Sequence, residues 1–321
     1  MPQEELAGVV RAAFGPARRL AGVQRLAGGS KKGVYRLTLG DGSTVVSYIW
    51  AAAENYWPAP VTGGAGPFAD ASGADLFEAG HARLAALGVR IPQVYYLDRS
   101  QAAYPADIAL VEDVPGGTLE TRLERGQAGT RQVLTRLGAA LAVMHRQRDL
   151  RIGKVALLDR GAAPQGRPCE QIVLDRALDH LAQAALRVER VAAVRGRLEE
   201  VIRELAAAVR PRAEHGLIHG ELGPDHVLVD SRGHPVLIDI EGVMFFDIEW
   251  EHAFTELRFG EHYRWLRPGG LDEARLRFYR LALHLSLIAG PLRLLDGDFP
   301  DREPMMRIVA FNIEKALAFA R

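Results

Sequence analysis

Residues 219–226, HGELGPDH, set two imidazoles (His219 and His226), two carboxylates (Glu221 and Asp225) and a proline between apolar runs, and PVLIDIEG follows a few residues later. Side chains of these types can hold a divalent ion, accept a proton or orient a phosphate. The H-x-E order matches the zinc deaminases, but that site needs a C-x-x-C partner and this chain has 1 cysteine, Cys169. The zinc motif H-E-x-x-H is absent, and Gly220 and Pro224 would break the single helix face it requires. No G-x-S-x-G supplies a hydrolase nucleophile.

The elements that must carry this loop are legible in outline. GVYRLTLGDGSTVVSYIW pairs two β-rich runs around GDGS, a hairpin signal because Asp-Gly accepts the positive φ of such turns. Before it lies a glycine-rich loop, LAGGSKKG, and after it a long stretch rich in Pro, Gly and Ala, WAAAENYWPAPVTGGAGPFADASG. ADLFEAGHARLAALGV has helical spacing with Gly88 as its stop, and ADIALVEDVPGGTLETRL runs from a strand through Pro-Gly-Gly into a helix. We place a domain boundary there, giving residues 1–114 and 115–321. The rest is mostly helical, interrupted by the polar loop with its two short strands around SRGH, and closes on WEHAFTELRFG and LRFYRLALHLSLIAGPLRLL.

A chain of 321 residues that is 48% hydrophobic can bury two cores. With Lys+Arg 40 against Asp+Glu 40, it has no broad electrostatic footprint for nucleic acid or an anionic membrane. The start reads as an amphipathic helix rather than a signal peptide, and no run approaches the roughly 18 apolar residues of a membrane span. A lone cysteine suits a reducing, cytoplasmic setting. Oligomeric state is not readable.

Glycine loop, helix acid, strand-to-helix hinge, acidic loop and the IDIE strand follow one another in an order that resembles the aminoglycoside phosphotransferase and choline-kinase-like family, relatives of the protein kinases. The resemblance covers nearly the whole chain and is strongest over HGELGPDHVLVDSRGHPVLIDIE, which looks like the family's H-G-D-x-x-x-x-N loop followed by its metal-binding Asp. It implies an α+β, bilobal protein-kinase-like fold with a small antiparallel-sheet N-lobe that binds nucleotide and a larger helical C-lobe for catalysis and acceptor. It also implies ATP or GTP with Mg2+ as cofactors and phosphoryl transfer to a hydroxyl of a small molecule. Glu221 then stands at the catalytic base, His219 at a scaffold position, His226 at the metal-binding Asn, and Asp239 at the magnesium carboxylate. Gly28, Gly29, Ser30, Lys31 and Lys32 would cover the triphosphate, and Glu112, Asp113 and Val114 would form the hinge that recognises the base.

Three positions depart from the family pattern: Glu for Asp at 221, His for Asn at 226, and Ser47 or Tyr48 where the family carries a strand lysine paired with a helix glutamate. Glu78 offers the helix acid, and Lys31 or Lys32 is expected to supply the missing cation from the glycine loop. These departures keep open a kinase-like binding protein without turnover. The acceptor expected from the resemblance is an antibiotic of aminoglycoside, basic peptide or nucleoside type, with a sugar or amino-alcohol metabolite as the alternative. Asp247, Glu249, Glu251, Glu256 and Glu261 are expected either to form an acidic wall for a cationic acceptor or to be solvated helix acids. Phe245, Phe246 and Trp250 are either stacking or core residues.

Overall fold

The computed structural model describes residues 3–26, 29–57, 66–69, 72–161 and 166–321. Along the chain run α1 (Gln3–Phe14), β1 (Leu20–Arg25), β2 (Gly33–Leu39), β3 (Thr44–Trp50), α2 (Ala74–Ala86), β4 (Val94–Asp98), β5 (Asp107–Glu112) and α3 (Leu119–Glu124). There follow α4 (Thr130–Arg146), β6 (Arg148–Asp149), β7 (Gly153–Lys154), α5 (Val155–Asp159), α6 (Cys169–Ala185), α7 (Glu189–Ala192) and α8 (Arg195–Ala207). The last third holds β8 (His215–Ile218), β9 (Val227–Val229), β10 (Pro235–Leu237), β11 (Met244–Phe246), α9 (Ile248–Phe259), α10 (Glu273–Leu294) and α11 (Arg302–Ala318). Among the described residues, no helix is long and apolar enough to cross a membrane.

The chain divides into two compact units, the first formed by Met1–Trp57, Phe68–Val133 and Asp225–Gly242. Its centre is an antiparallel sheet of 5 strands in the order β1-β2-β3-β5-β4. The β2–β3 hairpin turns through Gly42 at φ 83°, where Asp41 accepts the Ser43 N–H, so the Asp-Gly pair supplies both the backbone freedom and the side-chain acceptor. Leu6, Val9 and Val10 of α1 seal one face against Leu37, Ile49, Ile108 and Leu110. Each such side chain contributes about 1.5–3 kcal/mol by leaving water. On the other face Phe77 of α2 packs edge-on against Tyr48, ring centroids 5.6 Å apart.

The later segment of this unit is the hairpin β9–β10, in register from Val227 opposite Leu237 to Val229 opposite Pro235. Two glycines let it approach closely. A Cβ on Gly116 would lie 1.6 Å from the Val229 carbonyl oxygen, and one on Gly80 of α2 would lie 2.5 Å from that of Ile240.

The second unit is built on Leu134–Pro224 and Val243–Arg321. A small antiparallel sheet, ordered β6-β8-β11-β7, carries the segment that enters the HGELG loop. Around it lie mostly helices, with α10 at the centre, capped by Asp272, whose carboxylate accepts the N–H groups of Ala274 and Arg275. Phe245, Phe246 and Trp250 are buried in the core.

Candidate active site

In the first unit, the turn after β10 brings Asp239 to φ 59°, a left-handed conformation that Asp tolerates better than most residues and that recurs at functional sites. The Lys32 ammonium reaches it across the fold, donating to Asp239 Oδ1 at 2.7 Å and to Glu241 Oε1 at 2.5 Å. The two acids differ in setting: the Asp239 side chain is 42% exposed, the Glu241 side chain 4%. Trp50 adds an indole N–H to Glu241 Oε1 at 3.3 Å, and the Lys32 ammonium lies 5.2 Å from the centroid of the Tyr48 ring, within cation–π reach. Burial alone would lower the pKa of Lys32, but Asp239 and Glu241 more than reverse this and hold it raised. Burial pushes Asp239 the other way, and Lys32, then His226, hold its carboxyl well below the ordinary range.

His226 Nε2 stands 3.7 Å from carboxylate oxygens of both Asp225 and Asp239. Magnesium selects hard oxygen donors, so the two carboxylates fit such an ion better than the imidazole set between them. The partly exposed Asp239 and Asp225 have side chains open enough to meet a ligand.

In the glycine loop, a Cβ on Gly29 would meet the Lys32 carbonyl oxygen at 2.6 Å. Gly28 lies outside the described residues. Ser30 Oγ accepts the Trp57 indole N–H at 3.0 Å, and the Lys31 ammonium lies 5.6 Å from the Trp57 ring centroid. Glu78, on α2, is half exposed and paired with Arg99 at 3.3 Å, while Lys32 pairs with Asp239 and Glu241. At the end of β5, Glu112 accepts two bonds from Arg90, Asp113 accepts two from Arg36, and Val114 is buried.

In the second unit, the loop that ends in exposed Glu221 begins from a buried anchor. Glu251 of α9, fully buried, accepts the backbone N–H of His219 at 2.9 Å and of Gly220 at 3.1 Å, and His145 Nε2 meets its other oxygen at 3.0 Å. Burial would raise the Glu251 pKa, but His145 and the donors around it hold it lowered. Gly220 itself needs φ 98° for the chain to turn away from this anchor. Next to the loop, Arg176 of α6 feels the charge of Glu221. Burial, set against that carboxylate, brings its pKa down to about 10.

The first three acids after IDIE are neither wall nor solvated face. Asp247, Glu249 and Glu251 are buried and held by Arg275 and Tyr279, by Arg212, and by His145 respectively. Only Glu256, paired with Arg280, and exposed Glu261 remain nearer solvent. Cys169, His215 and Asp247 bring their donor atoms within 4.8 Å of one another, all buried. There the Arg275 guanidinium already gives Asp247 its counter-charge, and burial, then Asp247, push the Cys169 thiol upward. The sequence alone assigned no role to Glu241 and Trp50, placed Tyr48 only at the position of the missing lysine, and misassigned Glu251. The Asp239-x-Glu241 spacing was the one signal that pointed to Glu241.

A family model described as the phosphotransferase enzyme family matches residues 22–284. A search of curated protein sequences finds no significant match. Among solved structures, the chain is similar to a thermostable mutant of aminoglycoside phosphotransferase APH(4)-Ia, with TM-score 0.66 and 18% identity over 100% of this chain and 98% of that one. It is similar to choline kinase LicA from Streptococcus pneumoniae, with TM-score 0.64 and 12% identity over 99% and 98%. It is also similar to APH(2")-IIia in its GDP and kanamycin complex, with TM-score 0.63 and 18% identity over 97% and 96%. At these identities the likeness is one of fold.

Proposed function

Because this chain belongs to the phosphotransferase enzyme family, we propose that it moves the terminal phosphoryl group of ATP or GTP to a hydroxyl of a small molecule. Residues 1–114 bind the nucleotide, and residues 115–321 carry catalysis and the acceptor. Glu221 takes the hydroxyl proton as the oxygen–phosphorus bond forms and the bond to the β-phosphate oxygen breaks, releasing a nucleoside diphosphate. Asp239 and Asp225 would hold magnesium, with His226 beside them as a donor to phosphate or as a further ligand. When bound, the ion offsets phosphate charge. Lys32 contributes a permanent positive charge at the phosphates, Gly29 to Lys31 cover them, and Glu112 to Val114 meet the base. His219 and Gly220 fix the start of the catalytic loop through their backbone N–H groups.

The observation that carries this reading is the ion pair between Lys32 and Asp239, a glycine-loop cation fixed on the carboxylate that follows β10. Fold neighbours solved with ADP and hygromycin B, or with GDP and kanamycin, support an antibiotic acceptor, and the choline kinase neighbour supports an amino-alcohol one. A screen of hydroxylated antibiotics and metabolites for acceptor-dependent ADP or GDP release, read as mass gain on the acceptor, tests the proposal. A second reading, nucleotide or antibiotic binding without turnover, is favoured by the imidazole of His226 between the two acids. Tight nucleotide binding with no product in the same screen would establish it.

A further inference from the structure

Deepening the phosphotransferase reading on which it rests, we propose that Lys32 and Glu241 form the lysine–carboxylate pair that positions the phosphates, standing in for a pair between strand β3 and helix α2.

Strand alternation fixes where a strand lysine would have to be. Ile49 lies in the core under α1, whereas Tyr48 and Trp50 face Phe77 of α2, so position 48 is the one on the Lys32 side. A tyrosine there cannot supply a cation, and Ser47 on the opposite face is fully buried, its hydroxyl without a hydrogen-bond partner among the described residues. The ammonium of Lys32 takes that place from the glycine loop, over the Tyr48 ring. The partner has moved as well. Glu78 is spent on Arg99 at the surface, and Glu241, two residues after Asp239, grips the ammonium instead.

The pair is built to hold. Glu241 is 4% exposed, its Oε1 takes both Lys32 and the Trp50 indole, and its Oε2 has no hydrogen-bond partner among the described residues, so its carboxylate is directed at one cation. The Asp239 contact is the solvent-facing one. A phosphate can therefore replace Asp239 on the ammonium while Glu241 keeps the lysine in position, which makes Glu241 a positioning residue acting through Lys32.

The test is a double-mutant cycle on nucleotide affinity by calorimetry, with Lys32→Met, Glu241→Gln and the double variant, using ATP and GTP in turn with magnesium. Each single change is expected to weaken binding about tenfold or more and to raise nucleotide KM more than it lowers kcat, with the double variant within about twofold of Lys32→Met. Glu78→Gln is expected to stay within about twofold of wild type, and Tyr48→Lys added to Lys32→Met to recover most of the lost affinity. Lys32→Arg serves as the second variant should Lys32→Met fail to fold, and retains measurable binding. Effects of the two single changes that multiply, or a Glu78→Gln loss equal to that of Glu241→Gln, overturn the pair. A wild type that binds neither ATP nor GTP overturns the phosphotransferase reading itself, and this role with it.

Discussion

Replacing Glu251 by alanine should unfasten the HGELG loop from inside. The side chain is fully buried and takes three donors, the N–H groups of His219 and Gly220 and the imidazole of His145. Each donor left without an acceptor in the interior costs about 1–3 kcal/mol, and breaking a buried charged network costs about 3–5 kcal/mol in all. We expect a loss near 4 kcal/mol, because the three donors share one acceptor and cannot add independently. At a urea slope of about 2–3 kcal/mol/M that is a midpoint shift of about 1–2 M. Activity should fall with it, since a loop displacement of about 1 Å costs roughly 100-fold in rate. Glu251→Gln, which keeps an acceptor oxygen but loses the charge, should lie between. The lowered pKa of Glu251 gives the effect a pH signature. Its stabilising part is present above the unfolded carboxyl value and lost as pH falls through the folded one, so the acid limb of wild-type stability should flatten in Glu251→Gln. A Glu251→Ala midpoint within about 0.3 M of wild type, with phosphotransfer intact, would refute this anchoring role.

Other perturbations have equally definite outcomes. His180 and His252 are held down to about 3, by burial first and then by Arg176 for the one and His145 for the other. The unfolded chain would take up these protons near 6.5, so stability should drop below that pH by up to about 1.4 kcal/mol per unit for each histidine. His252→Phe should shrink the difference between urea unfolding at pH 5.0 and 7.5 by about 2 kcal/mol, and an unchanged difference would count against the assignment. Gly80→Ala forces a Cβ onto the Ile240 carbonyl and should cost about 1–3 kcal/mol while weakening nucleotide binding. Gly196→Ala, with open space around it, should leave both nearly unchanged in the same assays. Replacing Lys31 and Lys32 together by alanine should raise nucleotide KM about tenfold or more, and an unmoved KM would remove the glycine-loop cation from the account.

What the sequence made legible and what it hid divide along a physical line. Local signals were sufficient where a turn or cap is encoded by neighbouring residues: the β2–β3 hairpin around Asp41 and Gly42, the β9–β10 pair around SRGH, and α2 ending before Gly88. β1 escaped because LAGVQR is a mostly exposed edge strand without apolar alternation. α11 escaped because Met306 and Phe311 face solvent and blur its apolar stripe. The family resemblance lay in the order of glycine loop, helix acid, hinge, acidic loop and IDIE segment, and was strongest where Glu221, His226 and Asp239 lie close together in sequence. Long-range partnerships were not legible. Asp247, Glu249 and Glu251 look like a solvent-facing acidic run until Arg275, Arg212 and His145, all remote in sequence, are seen to pair with them in the interior. Lys32 and Glu241 are 209 residues apart, and no local pattern announces a pair at that distance.

Acceptor-dependent release of ADP or GDP by wild type, Glu221→Gln and Asp239→Asn tests the proposed phosphoryl transfer most directly. Wild-type turnover should fall at least about 100-fold in each variant, with nucleotide affinity kept in Glu221→Gln and lost in Asp239→Asn. Full turnover by either variant would contradict it.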